Sequence, residues 1–179
     1  MSQKTNISVQ NTLQFMQGLS WFVLISLIAQ TAIVCIGYFT GDFLFRHDEA
    51  VINTASFANK SALLYLIVTA VVLSTLILKV ILLFKVTQLF KKVRFDQPFT
   101  KTLVTLITVM TKIALAIGIL TAVSKRFLLH YTEGLREFTI IDKIVEGPKV
   151  FIFFAGLLFI IAQFLKRGLE IQEENDLTI

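Results

Sequence analysis

The chain has 179 residues, of which 55% are hydrophobic and only 16% charged, and its net charge is +5. That balance, with 17 Phe, excludes a soluble globular domain, because runs of about 20 apolar residues are the mark of membrane-spanning helices. The surplus lysines and arginines lie between the apolar runs. There they suit anionic lipid rather than nucleic acid, since no basic patch is interleaved with exposed aromatics. A chain of this length makes one domain, here residues 1–179.

Met1–Gly18 is polar and lightly charged and reads as a short interfacial segment. Leu19–Thr40 carries no charge and forms the first span (residues 19–40). It is too long for a signal-peptide core and has no clean small-residue cleavage site. Cys35, the single cysteine, lies inside this run, so no intramolecular disulfide forms. It is read as a packing residue. A lipoprotein acceptor is the sharper alternative, but Val34 stands where a small residue is expected.

Gly41–Lys60 is a polar loop with Asp42, Arg46, His47, Asp48 and Glu49. The second span covers residues 61–84, and its helix is expected to continue toward Val93. A basic turn follows, Lys91-Lys92-Val93-Arg94-Phe95-Asp96-Gln97-Pro98-Phe99. Pro98 suits the first turn of a new helix, so the third helix is expected from Phe99 to Ser124, with its span over residues 103–124. Lys125–Lys149 reads as a loop punctuated by Gly134 and Gly147-Pro148. Within it, Phe127-Leu128-Leu129 can extend the third helix. The fourth span covers residues 150–165 and is lengthened by snorkelling of Lys149 and Lys166. The tail, residues 166–179, turns acidic.

Lysines and arginines in short loops set orientation. Lys85, Lys91, Lys92, Arg94 and Lys101 crowd the central turn, against Arg46 and Lys60 in the first loop. The turn and both termini are therefore expected in the cytoplasm. Lys166 and Arg167 agree, and Lys125 and Arg126 oppose. The expected fold is an all-α, four-span antiparallel bundle whose second and third helices project inward as a cytoplasmic hairpin.

Lys79 and Lys112 stand in the second and third apolar runs at nearly equal distance from the turn. A lysine at the bilayer centre costs about 2.5–3.5 kcal/mol, which makes an intramembrane lysine a functional candidate. If the hairpin projects into the cytoplasm, both instead snorkel to the inner headgroups, the reading preferred here. A structural polar pair and a transport role stay open. Thr102, Thr105, Thr108 and Thr111 recur every third residue. Their hydroxyls are expected to bond back to carbonyls or face headgroups, with a partner contact as the alternative. Ala114, Gly118 and Ala122 make a small residue every fourth position, suited to close helix approach within the chain or between copies.

His47, Asp48, Glu49 and His130 offer metal-ligand types without zinc spacing, so no metal is expected. No phosphate loop, nucleophile elbow or intramembrane acid pair appears, so neither an enzyme nor a cofactor is expected. Glu173, Glu174 and Asp176 with the closing Leu177 and Ile179 form the least generic stretch, a peptide-like end able to dock on a partner.

Phe164-Leu165-Lys166-Arg167-Gly168, followed by Glu173-Glu174-Asn175-Asp176-Leu177-Thr178-Ile179, resembles the ending of a bacterial family of four-span membrane proteins, domain of unknown function 2975. Gln97-Pro98-Phe99 and the basic Lys112 extend the resemblance, which runs in outline from Leu63 to Ile179. Members often carry a glycine ahead of the Pro-Phe pair, and Val93 to Gln97 contains none. The resemblance implies a bacterial inner-membrane protein whose gene sits beside one for a small helix-turn-helix transcription regulator, and no catalytic residues. The expected function is non-enzymatic regulation of such a cytoplasmic partner through Lys91, Lys92, Arg94, Glu173, Glu174, Asp176, Leu177 and Ile179. The alternatives are a small anion transporter or channel subunit using Lys79 and Lys112, and a packing subunit of a larger membrane complex. Homo-oligomers remain open, and direct nucleic-acid binding is not expected.

Overall fold

The computed structural model describes residues 2–40, 62–93, 100–131 and 147–176. Among them the chain forms four helices, α1 (Ser2–Thr40), α2 (Ala62–Lys92), α3 (Lys101–Tyr131) and α4 (Pro148–Asp176). Each contains a stretch long and apolar enough to cross a membrane: Asn11–Ile36, Thr69–Lys92, Lys101–Arg126 and Pro148–Asn175. A helix satisfies its own backbone N–H and C=O groups, which lipid cannot do. The protein is thus an all-α membrane protein.

Local chemistry sets the helix ends. Leu103 N–H donates to the Thr100 hydroxyl at 3.3 Å and lies 3.0 Å from the Thr100 carbonyl. Thr100 therefore caps α3 and satisfies a donor that the first turn leaves orphaned. The helix begins after this cap, at Lys101, and not at Phe99. At the head of α4, Gly147 adopts φ +92°, a left-handed conformation cheap only without a Cβ. Its carbonyl accepts Phe151 N–H at 3.1 Å, while Pro148 takes a first-turn position where no N–H is needed. Lys91 and Lys92 fill the last turn of α2, where cations complement the helix dipole.

Three helices outrun their apolar runs. α1 starts at Ser2, so the N-terminal segment through Gly18 is continuous with the first span. α3 continues through Lys125 and Arg126 to Tyr131, making the start of the expected loop helical. α4 carries the acidic stretch as one unbroken helix to Asp176.

Packing is closest between α3 and α4, then between α1 and α2, then between α2 and α3. One core joins Leu82 of α2, Met110, Ala114 and Ile117 of α3, and Ala155, Leu158 and Ala162 of α4. Leu24 and Val34 of α1 are buried outside that cluster. Large apolar side chains face outward, among them Phe22, Phe153 and Phe164, each about 70% exposed. Lipid tails solvate such side chains as well as a protein core does, so close packing and not burial from water holds the helices together.

Candidate functional site

The polar end of the helices gathers most of the charged candidates. Lys101 Nζ, on the first residue of α3, lies 2.9 Å from Glu173 Oε1 near the end of α4. One turn earlier, Arg167 Nη1 donates to Glu170 Oε2 at 3.0 Å along the same helix. Lys92, at the end of α2, and Lys166 and Glu174, on α4, are also exposed. The chain folds this way because α3 starts at the Thr100 cap beside the α2 terminus, while α4 continues past Lys166 for ten residues. A salt bridge between exposed side chains adds little stability. It can therefore be exchanged for another partner at small cost.

Lys91 behaves differently. Its ammonium stands 5.3 Å from the centroid of the Trp21 ring on α1, within cation–π range. Arg94, Leu177 and Ile179 fall outside the described residues, and Asp176 closes α4. The structure thus brings Lys101, Glu173, Arg167 and Glu170 to one end and turns Lys91 toward α1. Lys101 as the partner of Glu173 is a non-local contact between residues 72 positions apart, and no sequence pattern signals it.

Lys79 and Lys112 sit in different surroundings. Lys79 is half-buried, with Nζ 5.5 Å from the Phe151 ring centroid on α4. Lys112 is exposed on α3. Along the threonine series, the hydroxyls of Thr105, Thr108 and Thr111 donate to the carbonyls of Lys101, Val104 and Ile107 at 2.8–2.9 Å. Such back-bonding satisfies a hydroxyl without a partner helix.

Sequence reasoning missed the buried hydroxyls Thr75, Thr87 and Thr121, all at or below 1% exposure. Thr75 donates to the Val71 carbonyl, Thr87 to Phe84, and Thr121 to both Ile117 and Gly118. Among the described residues no buried side-chain nitrogen or oxygen lacks a hydrogen-bond partner.

The small residues of α3 bring α4 close. Ala114 is fully buried, Ala122 is half-buried and Gly118 is buried. A Cβ at Gly118 would stand 2.6 Å from Ile152 Cγ1, 3.1 Å from Ile152 N and 3.3 Å from the Pro148 carbonyl oxygen. Gly118 and Ala114 therefore serve helix packing within the chain. Among the described residues no group of three or more His, Cys, Asp and Glu comes together to hold a metal. The His47 loop lies outside them.

A family model described as "Protein of unknown function (DUF2975)" matches residues 49–179, well over half of the chain. The chain belongs to that family. No curated protein and no solved structure matches it. Among the described residues of this DUF2975 protein, the buried cluster around Met110 comes from α2, α3 and α4, all inside the matched region, whereas α1 precedes it.

Proposed function

We propose that this protein is a non-enzymatic membrane regulator. It holds a soluble partner, a small helix-turn-helix transcription regulator, against the cytoplasmic face of the bacterial inner membrane. In this reading the four helices form an antiparallel bundle, both termini are cytoplasmic, and the ends of α2 and α3 form a hairpin at the cytoplasmic face. The observation that carries it is the Lys101–Glu173 pair. It joins the basic hairpin to the acidic end of α4, the two features able to contact a soluble protein.

The exposed pair works as a latch. A partner arginine offers a carboxylate two parallel hydrogen bonds where Lys101 offers a point charge. Glu173 can therefore leave Lys101 for the partner, and the freed Lys101 then meets a partner carboxylate. Charges of both signs within a few turns favour a partner with the complementary arrangement and set its orientation. Deletion of residues 170–179, or neutralisation of Lys92 and Lys101, is expected to abolish copurification of the regulator. Retention of that regulator through both changes would sink the latch.

A second reading, a small anion transporter or channel subunit, is favoured by Lys79, a cation held inside the helix packing over Phe151. It predicts that Lys79→Ala with Lys112→Ala abolishes anion flux in liposomes. Unchanged flux would remove its basis.

A further inference from the structure

α1 and α2 leave a groove between them of about 300 Å³, lined by Ile28, Thr31, Ala32, Cys35, Ile77 and Ile81 with Val80. The one hydroxyl there is already engaged, since Thr31 donates to the Leu27 carbonyl at 2.8 Å. The lining is otherwise apolar, so it suits a hydrocarbon chain.

Beyond one end of the groove, past Ile28 and Ile81, stands a chemically distinct pair. Trp21 lies on the same face of α1 as Ile28, Thr31 and Cys35, and Lys91 shares a face of α2 with Ile77 and Val80, by the period of 3.6 residues. These two meet, Lys91 Nζ over the indole ring at 5.3 Å. A cation and an indole together are what a phospholipid headgroup meets at the membrane interface. The ammonium attracts phosphate, and an indole prefers the headgroup level with its N–H available to donate.

The distances agree with that reading. From Lys91 to Ile81 and from Trp21 to Thr31 is ten residues, about 15 Å along each helix. That equals half of a hydrocarbon core about 30 Å thick, the reach of one acyl chain. With a headgroup at Lys91, the chain below it ends in the groove.

We propose that the α1–α2 groove is a binding site for an anionic phospholipid, with its phosphate against Lys91 and Trp21 and one acyl chain between Ile28 and Ile81. The site lies between α1 and α2, whereas the Lys101–Glu173 pair joins α3 to α4. It accounts for the turning of Lys91 toward α1.

Trp21 is the only tryptophan and therefore reports its own neighbourhood. The full chain is reconstituted in phosphatidylcholine vesicles containing a minor fraction of brominated lipid, and quenching of Trp21 fluorescence is read. Brominated phosphatidylglycerol is expected to quench several-fold more effectively than brominated phosphatidylcholine at equal fraction. Lys91→Gln and Ala32→Leu, which fills the groove, are each expected to bring the two lipids within a factor of about two. Circular dichroism confirms the helices of both variants. Equal quenching of the native chain by the two lipids would overturn the site. So would a preference lost in Lys91→Gln but kept in Ala32→Leu, which is surface attraction without a groove, or one kept in Lys91→Gln.

Discussion

Lys101 Nζ lies 2.9 Å from Glu173 Oε1, which ties the first residue of α3 to the last turns of α4. The side chains are 79% and 50% exposed, so the contact adds little stability. Lys101→Glu is expected to leave the melting temperature in detergent within a degree or two, roughly the scatter of surface changes. It is also expected to lower capture of the soluble partner at least tenfold. The double reversal Lys101→Glu with Glu173→Lys is expected to restore the helix contact but not the partner, whose own charges are then mismatched. Recovery of capture in the double reversal would show that the pair only braces the helices.

Gly118 and Gly156 make a matched comparison. A methyl at Gly118 meets Ile152 and the backbone at Pro148, while one at Gly156 meets nothing within 4 Å. Gly118→Ala is expected to cost about 1–3 kcal/mol by overpacking. Gly156→Ala is expected to be neutral or to gain up to about 1 kcal/mol from helix propensity. Denaturant titration in mixed micelles measures both. A Gly118→Ala chain as stable as the native one would mean that α3 and α4 are not held at this contact.

Buried hydroxyls and buried apolar groups differ in what their removal leaves behind. Both hydrogen bonds of Thr121 run to carbonyls of its own helix. Thr121→Val therefore releases no partner and is expected to change stability by less than about 1 kcal/mol. Met110, 1% exposed, fills space among three helices. Met110→Ala is expected to cost about 2 kcal/mol, the low end of the usual range because lipid, not water, receives the helix faces. The same titration ranks the two. A larger loss for Thr121→Val would place its hydroxyl in contact with a second helix.

The register of the helices gives the two intramembrane lysines a depth. If the bilayer interface lies at Trp21 and Lys91, where the proposed lipid headgroup sits and where aromatic residues are enriched, the helix register fixes how deep both lysines sit. From Lys91, Lys79 is twelve residues or about 18 Å away, and from Lys101, Lys112 is eleven residues or about 17 Å away. On that placement both distances approach the middle of a core about 30 Å thick, the alternative to the headgroup position that charge distribution favours. In a Cys35→Ser background, Lys79→Cys and Lys112→Cys are expected to resist a membrane-impermeant maleimide that labels Lys101→Cys. Ready labelling at both positions would return the lysines to the headgroups and raise the hairpin out of the bilayer.

The four helices were legible in the sequence because an uncharged run of some 20 residues has one stable arrangement in lipid. Residues 62–92 were read to within a turn. The helical extension after Leu165 was legible, but the end before Leu19 was less so, since hydropathy falls silent there while helix propensity does not. The start of α3 was read to within two residues, at about Phe99, from Pro98 as an opening signal, whereas the Thr100 side chain is the cap observed. Lys101, Glu173, Gly118 and Lys91 were visible as charged or small residues. Their partners Ile152 and Trp21 were not, because a contact between helices depends on rotation and register that local pattern leaves open.

The measurement that bears most directly on the regulator reading is isolation of the full-length protein in mild detergent at native abundance, with mass spectrometry of what accompanies it. The account predicts a stoichiometric soluble helix-turn-helix protein that is lost when residues 170–179 are deleted and when Lys101 is reversed to Glu. Isolation of the protein without any such partner, or with one that survives both changes, would contradict it.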